Sequence, residues 1–186
     1  EKLPIAYSVH VTERPDLANN GAFLWIDREP VDVFAEVHAQ PGAPLIVVNH
    51  PRAASVSGYF READFDPETA TGNALYSADF DLIELCNNSS FESNRDESVS
   101  DWFGLLENGR HPVAIGSSDN HYVRNGSYGY PRTCVYLGED PAAVTPAALR
   151  AGLVSGDVFV SGGIHLVVMG PGGERMGQTV TATGAE

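Results

Sequence analysis

Three observations predict an α/β fold built on a largely parallel sheet. Short apolar runs alternate with helical periodicity in the order strand, helix, strand, loop, strand, helix, strand. The central apolar runs are continuous and β-branched, as in strands covered on both faces. The chain has 186 residues, of which 42% are hydrophobic and 19% charged, which suits one globular domain. We therefore expect a single domain over residues 1–186.

Strands are predicted wherever a short apolar run is bounded by turn residues. These runs lie at residues 3–11, 22–26, 45–49, 80–86, 111–119 and 133–138. The glycine-rich tail from Val158 onward is predicted to form further β-strands joined by glycine turns.

The first predicted helix covers residues 31–40. Val33, Phe34 and Val37 recur there at helical spacing, and a Pro-Gly pair follows. Residues 51–79 show little periodicity, so we expect a long, elaborated loop with a short helix. Because loops of this length in compact domains are usually functional, this segment is of interest.

Two more helices are predicted from their terminal residues. Over residues 98–109, Ser98 or Ser100 is expected as the N-cap and Gly109 as the stop. Over residues 145–156, a threonine N-cap, a proline at the first helical position and a final glycine are strong helix signals.

Charge and composition restrict the possible partners. Eleven Lys and Arg against 25 Asp and Glu give a formal charge of -14, which would repel nucleic acid. No stretch approaches the roughly 20 apolar residues of a membrane span, and no signal peptide is visible, so we expect a soluble protein, cytoplasmic or exported. Cys86 and Cys134 are expected to be buried thiols and not part of a disulfide framework.

Three predicted strands each bring a polar side chain to their carboxyl ends, where parallel α/β folds bind ligands. These are the strands at 45–49, 80–86 and 111–119. His50 follows the first, Glu84 lies within the second and Asn87 follows it, and the third leads to Asp119 and His121. Imidazole and carboxylate groups are ligands for zinc, manganese and iron, so this pattern favours a metal site. A purely structural alternative stays open, in which Asp119 caps the next turn and His50 packs near the sheet end.

The remaining histidines are expected to have ordinary structural or solvent-exposed roles. They are His10, His38, His111 and His165.

Residues 21–165 resemble the later part of the PHP (polymerase and histidinol phosphatase) domain, and most closely its CehA/McbA-like metallohydrolase branch. The resemblance is carried, in chain order, by LIVVNHPR, FDLIELCNN, a Trp with LLENG, VAIGSSDNH, GYPRTCVYLG and ALRAGLVSGDVFVSGG. It implies part of a distorted (β/α)7 barrel, followed by a β tail over residues 166–186.

The resemblance also implies a metal-dependent hydrolase. The barrel's carboxyl-end rim would bind two or three zinc, manganese or iron ions, and metal-activated water would cleave phosphoesters or related ester or carbamate bonds. By position, His50 matches the histidine of the family's H-P motif, and Asp119 and His121 match its final D-x-H metal pair.

Candidate substrate-binding groups are Arg52, Arg132 and Asn87. The guanidinium groups suit an anionic substrate or transition state, although each arginine could equally be an ion-pair partner within this acidic protein. Asn87 lies where the family often has Asn, behind the metal ligands. No residue is assigned as the catalytic acid, base or nucleophile.

The chain departs from the family pattern in its first part. The family's opening H-x-H, its T-D-H and its next acidic ligand are not matched, and SVHVT at 8–12 has one histidine where two are needed. We therefore expect the later portion of a longer protein with an incomplete metal centre. Three functions remain: a hydrolase of a small anionic or ester substrate in the full-length parent, a non-catalytic binding or structural module, and an exonuclease-like role that the charge disfavours.

Overall fold

The computed structural model describes residues 28–42, 44–54, 58–87, 91–124, 128–138, 140, 142 and 144–181. The strands predicted at 3–11 and 22–26, and His10, lie outside these residues. Within them the protein is mixed α/β, as predicted, with a three-stranded parallel sheet and a two-stranded antiparallel sheet. The described residues form no closed barrel.

Five strands occur among the described residues. They are β1 (Val47–Val48), β2 (Leu82–Cys86), β3 (Val113–Gly116), β4 (Arg132–Val135) and β5 (Val158–Ser161). The larger sheet has the order β1-β2-β3, and β1 runs parallel to β2 with Val47 opposite Leu82. Strand β4 pairs antiparallel with β5. The predictions at 45–49, 80–86, 111–119 and 133–138 are thus confirmed as strands, in shorter form.

The helices of the described residues include a π-helical segment. They are α1 (Pro30–His38), α2 (Tyr59–Glu62), α3 (Phe91–Asn94), a π-helix (Arg95–Val99), α4 (Ser100–Glu107) and α5 (Pro146–Ser155). The prediction for α5 is confirmed in detail: the Thr145 side chain accepts a hydrogen bond from the Ala148 N–H, and Gly156 ends the helix at φ 75°. The short helix predicted within 51–79 is α2.

One helix start was predicted wrongly. Ser98 and Ser100 are not N-caps, because the chain is already helical from Phe91 and passes through the π-helix into α4. Isolated serines in a sequence do not distinguish a helix start from a helix interior. The predicted stop is confirmed, since Gly109 has φ 73° two residues after the helix ends.

The predicted β tail is also wrong for most of its described length. After β5, the described residues from Gly162 to Thr181 contain no strand. The apolar run Ile164–Met169 looks like a strand in sequence, yet its large side chains are exposed. A strand needs a paired neighbour as well as β-branched residues, and the described part of the chain places none beside this run.

The described residues divide into two compact units. The first consists of the described residues up to Ile83 together with Ser100–Pro112, and the second of Glu84–Val99 together with the described residues from Val113 onward. Strand β2 contributes its first two residues to one unit and its last three to the other.

An aromatic cluster forms the core of the first unit. Phe60 is fully buried, and its ring centroid lies 4.2 Å from that of Phe65. The rings of Tyr59, Tyr76 and Phe80 surround Phe60 at 5.9–6.2 Å. The loop between β1 and β2 therefore has a packed core of its own. None of the described helices is long and apolar enough to cross a membrane.

Candidate metal centre

The end of strand β3 is held by contacts from two neighbouring strands. The backbone N–H of Gly116 donates to Thr133 Oγ1 at 3.0 Å, and the Ser117 N–H donates to the Cys86 carbonyl at 2.9 Å. A Cβ atom on residue 116 would lie 2.5 Å from Val160 Cγ1, so only glycine fits there. The chain that leads to Asp119 therefore leaves the sheet from a fixed position.

A buried carboxylate lies beneath this strand end. Glu84 of β2 is 2% exposed, and the Ser117 hydroxyl donates a hydrogen bond to its Oε1. Burial, and then the negative charge of Glu84, raise the pKa of the Cys86 thiol. Cys86 is a free, half-buried thiol, and its raised pKa disfavours the reactive thiolate.

Asp119 and His121 form a contact pair after β3. His121 Nε2 lies 2.9 Å from Asp119 Oδ1, and the side chains are 71% and 35% exposed, respectively. Asp119 has φ 43°, in the left-handed region that few non-glycine residues occupy. The backbone turn thus brings the two predicted ligands, two residues apart, onto one another.

His50 also has a left-handed backbone, at φ 46°, two residues after β1. Its carbonyl accepts a hydrogen bond from the Ala53 N–H at 3.0 Å, which closes a turn. Gly58 packs against this turn so closely that a Cβ there would lie 2.5 Å from the His50 carbonyl oxygen. The half-buried His50 is therefore held in a tightly packed turn.

Arg52 makes a two-point ion pair inside the first unit. Its Nε and Nη2 donate to the two carboxylate oxygens of Asp101 at 2.8 and 2.7 Å, and Nη2 also donates to the Phe65 carbonyl at 2.7 Å. The Asp101 side chain is only 4% exposed. Arg52 thus has the geometry of an ion-pair partner within the protein, which was one of the two alternatives. Substrate binding by Arg52 stays a prediction.

Arg132 lies at the start of β4 and is exposed. Its Nη2 donates to the Tyr130 hydroxyl at 2.6 Å, and its guanidinium carbon lies 4.2 Å from the centroid of the Tyr130 ring. Asn87 directly follows β2 and is half-buried.

Two of the three predicted metal ligands, Asp119 and His121, are in contact in the structure. Asp119 and His121 belong to the second unit, whereas His50 belongs to the first. Within the described residues, no group of three or more His, Cys, Asp or Glu side chains is arranged to hold a metal ion. Of the three predicted metal ligands, Asp119 and His121 are therefore the two that lie together in one unit.

Sequence reasoning missed two residues that shape this region. Asp101, the partner of Arg52, looks in sequence like any acidic residue near a helix start, and its burial is a tertiary property. Ser117 directly follows β3, and its pairing with Glu84 also had no signal in sequence.

Comparison of the chain with protein-family models, with curated proteins and with solved structures finds no match in any of the three.

Proposed function

We propose that this chain carries part of the metal centre of a PHP-type metal-dependent hydrolase that cleaves phosphoester, ester or carbamate bonds. Asp119, His121 and His50 are its proposed metal ligands. The proposed parent fold is the distorted (β/α)7 barrel, of which the α/β structure described here would be the later part.

The proposal rests on one observation above the others, the contact between Asp119 and His121. Their ligand atoms lie 2.9 Å apart after a parallel strand, with His121 exposed and Asp119 half-buried. A carboxylate oxygen and an imidazole nitrogen at this spacing can occupy neighbouring positions around zinc, manganese or iron. The donor chemistry of the pair thus fits the proposed ion.

The left-handed backbones of His50 and Asp119 support the same proposal. Such conformations are uncommon for non-glycine residues and tend to persist at functional sites. His50, which belongs to the first unit, is the third proposed ligand.

The chemistry of such a site is that of a Lewis acid. When bound, a divalent ion would lower the pKa of a coordinated water so that hydroxide forms near neutral pH. His121 Nε2 lies 2.9 Å from Asp119 Oδ1, so a metal ion bound there would take the place of this hydrogen bond. Protons compete with the metal for the imidazole nitrogen and the carboxylate, so affinity is expected to rise with pH. Arg132, at an exposed strand start, would offer its guanidinium to an anionic substrate.

The experiment loads chelator-treated protein with Zn²⁺ or Mn²⁺ at several pH values, measures bound metal, and assays hydrolysis of an aryl phosphate and an aryl ester. We expect about one ion per chain, with proton release on binding. Asp119→Ala is expected to abolish binding, and His111→Gln, a histidine with no proposed role, to leave it unchanged. Failure of the wild-type chain to bind either metal would contradict the proposal.

A second candidate function is a non-catalytic module. It is favoured by the lack, within the described residues, of any group of three potential metal ligands. A hydrolysis assay distinguishes the hydrolase from the non-catalytic module. A chain that binds metal but shows no turnover would favour the module, especially if turnover is still absent after an H-x-H segment is added at the amino end.

A further inference from the structure

A histidine between two carboxylates attaches the carboxyl end of helix α1 to the rest of the first unit. His38 Nδ1 lies 3.1 Å from Asp79 Oδ2, and His38 Nε2 lies 3.0 Å from Asp81 Oδ2. Asp81 Oδ2 also accepts a hydrogen bond from the Ile46 N–H at 2.7 Å. One carboxylate thus joins the helix end to the residue that precedes strand β1.

This geometry requires a charged ring. A neutral imidazole has one N–H and one acceptor nitrogen, so it can donate to one carboxylate only. Donation to both Asp79 and Asp81 needs the imidazolium form. The hydrogen bond with Asp81, followed by the contacts with Asp79, raises the pKa of His38, against the opposing effect of burial. The carboxyl end of a helix also favours a cation.

Helix α1 also contacts the first unit through an aromatic ring. None of its residues is buried. Phe34 packs edge-to-face on Tyr59 of α2, with ring centroids 5.5 Å apart. The histidine contact therefore adds a polar attachment to a helix that has no fully buried residue.

The other charged and titratable groups near the helix do not form this contact. On α1 itself, Glu36 pairs with Arg28 at 2.5 Å, and Asp32 lies in the first turn. Burial raises the pKa of Tyr59 to about 12, so it stays neutral near physiological pH. The remaining charged residues of α2, Arg61 and Glu62, are exposed. The charges that act on His38 are those of Asp79 and Asp81.

We propose that His38, Asp79 and Asp81 form a pH-dependent latch, which holds helix α1 in place while His38 is charged and weakens when His38 loses its proton. A group whose pKa is raised by folding stabilises the folded form fully below its unfolded pKa. That contribution is lost as the pH rises through the folded pKa. Release of α1 is therefore expected on the alkaline side of the ordinary histidine range.

The test is hydrogen exchange of the α1 amides at a series of pH values, corrected for intrinsic exchange rates, with the His38 ring titrated by NMR in the same samples. Protection of α1 is expected to fall by about tenfold for each unit by which the His38 pKa is raised, with the same midpoint as the ring titration. Helix α4, in the same unit, is the internal reference and should not follow this titration.

Two variants and a control complete the experiment. His38→Gln should remove the pH dependence and leave α1 weakly protected throughout. Asp79→Asn should lower the midpoint and keep the Asp81–Ile46 bond, since the Asp79 side chain is 56% exposed and this variant is expected to fold even if the first does not. His111→Gln should behave as wild type. The latch is overturned if α1 protection ignores the His38 titration, if the ring titrates below its ordinary pKa, or if Asp79→Asn leaves the midpoint unchanged.

Discussion

At the scale of single residues, Ser117 shows how one hydroxyl supports the candidate metal centre. Its backbone N–H binds the Cys86 carbonyl, and its side chain donates to the buried carboxylate of Glu84. Both bonds fix the point at which the chain leaves β3 toward Asp119. A buried carboxylate that loses a donor has no water to replace it, so this contact is expected to matter for stability.

Replacing Ser117 by alanine should destabilise the protein. Hydrogen bonds to charged groups contribute about 1.5–3 kcal/mol, so we expect a loss of that size in the free energy of unfolding, measured by urea denaturation. Ser155→Ala is the matched control, because that hydroxyl donates to the Gly152 carbonyl of its own helix end, and the change should stay within about 0.5 kcal/mol. Equal losses for the two variants would show that the Glu84 contact has no special role.

The site residues themselves could be predicted from sequence only in part. The spacing of Asp119 and His121 after an apolar run indicated a ligand pair, and the structure places the two side chains in contact. The left-handed backbones of both His50 and Asp119 had no sequence signal, since neither residue is glycine. The partner of Arg52 could not be predicted either, because the burial of Asp101 results from tertiary packing.

At the scale of elements, the Arg52–Asp101 pair joins the turn after β1 to helix α4. The two parallel hydrogen bonds give this pair a fixed geometry, and the third bond, to Phe65, attaches the loop as well. The pair therefore positions the turn that carries His50.

Asp101→Asn should weaken this attachment. The change removes the charge of the buried Asp101 carboxylate from its two-point pair with Arg52, and loss of one partner of a buried pair typically costs about 3–5 kcal/mol. Thermal or urea unfolding measures the loss. Asp96→Asn, which removes an exposed pair with Arg95, serves as control and should leave stability unchanged. A wild-type unfolding midpoint for Asp101→Asn would contradict the structural role of the pair.

Element prediction succeeded where local chemistry decides the outcome. Helix α5 begins at a threonine cap and ends at a glycine, and both signals are local. It failed where tertiary context decides. The chain is already helical when it enters α4 from the π-helix, so the expected serine N-cap does not form. The run at 164–169 is strand-like in sequence but has no paired neighbour among the described residues.

At the scale of the whole molecule, the predicted α/β class is confirmed and the predicted barrel is not. Alternating apolar and periodic segments indicate strands and helices. Closure of a barrel depends on which strands pair with each other, and this sequence pattern does not predict that. The described residues form two compact units, with His50 in the first and the Asp119–His121 pair in the second. The central proposal is that Asp119 and His121 bind a metal ion, with His50 as the third proposed ligand.

A calorimetric titration of Zn²⁺ or Mn²⁺ into the wild-type chain and His50→Gln tests this claim most directly. Since even residues that only support a metal ligand change affinity by about 10–100-fold, loss of His50 should raise the Kd at least about tenfold, with His111→Gln unchanged. A His50→Gln chain that binds one ion with the wild-type Kd would contradict the claim and leave Asp119 and His121 without their proposed third ligand.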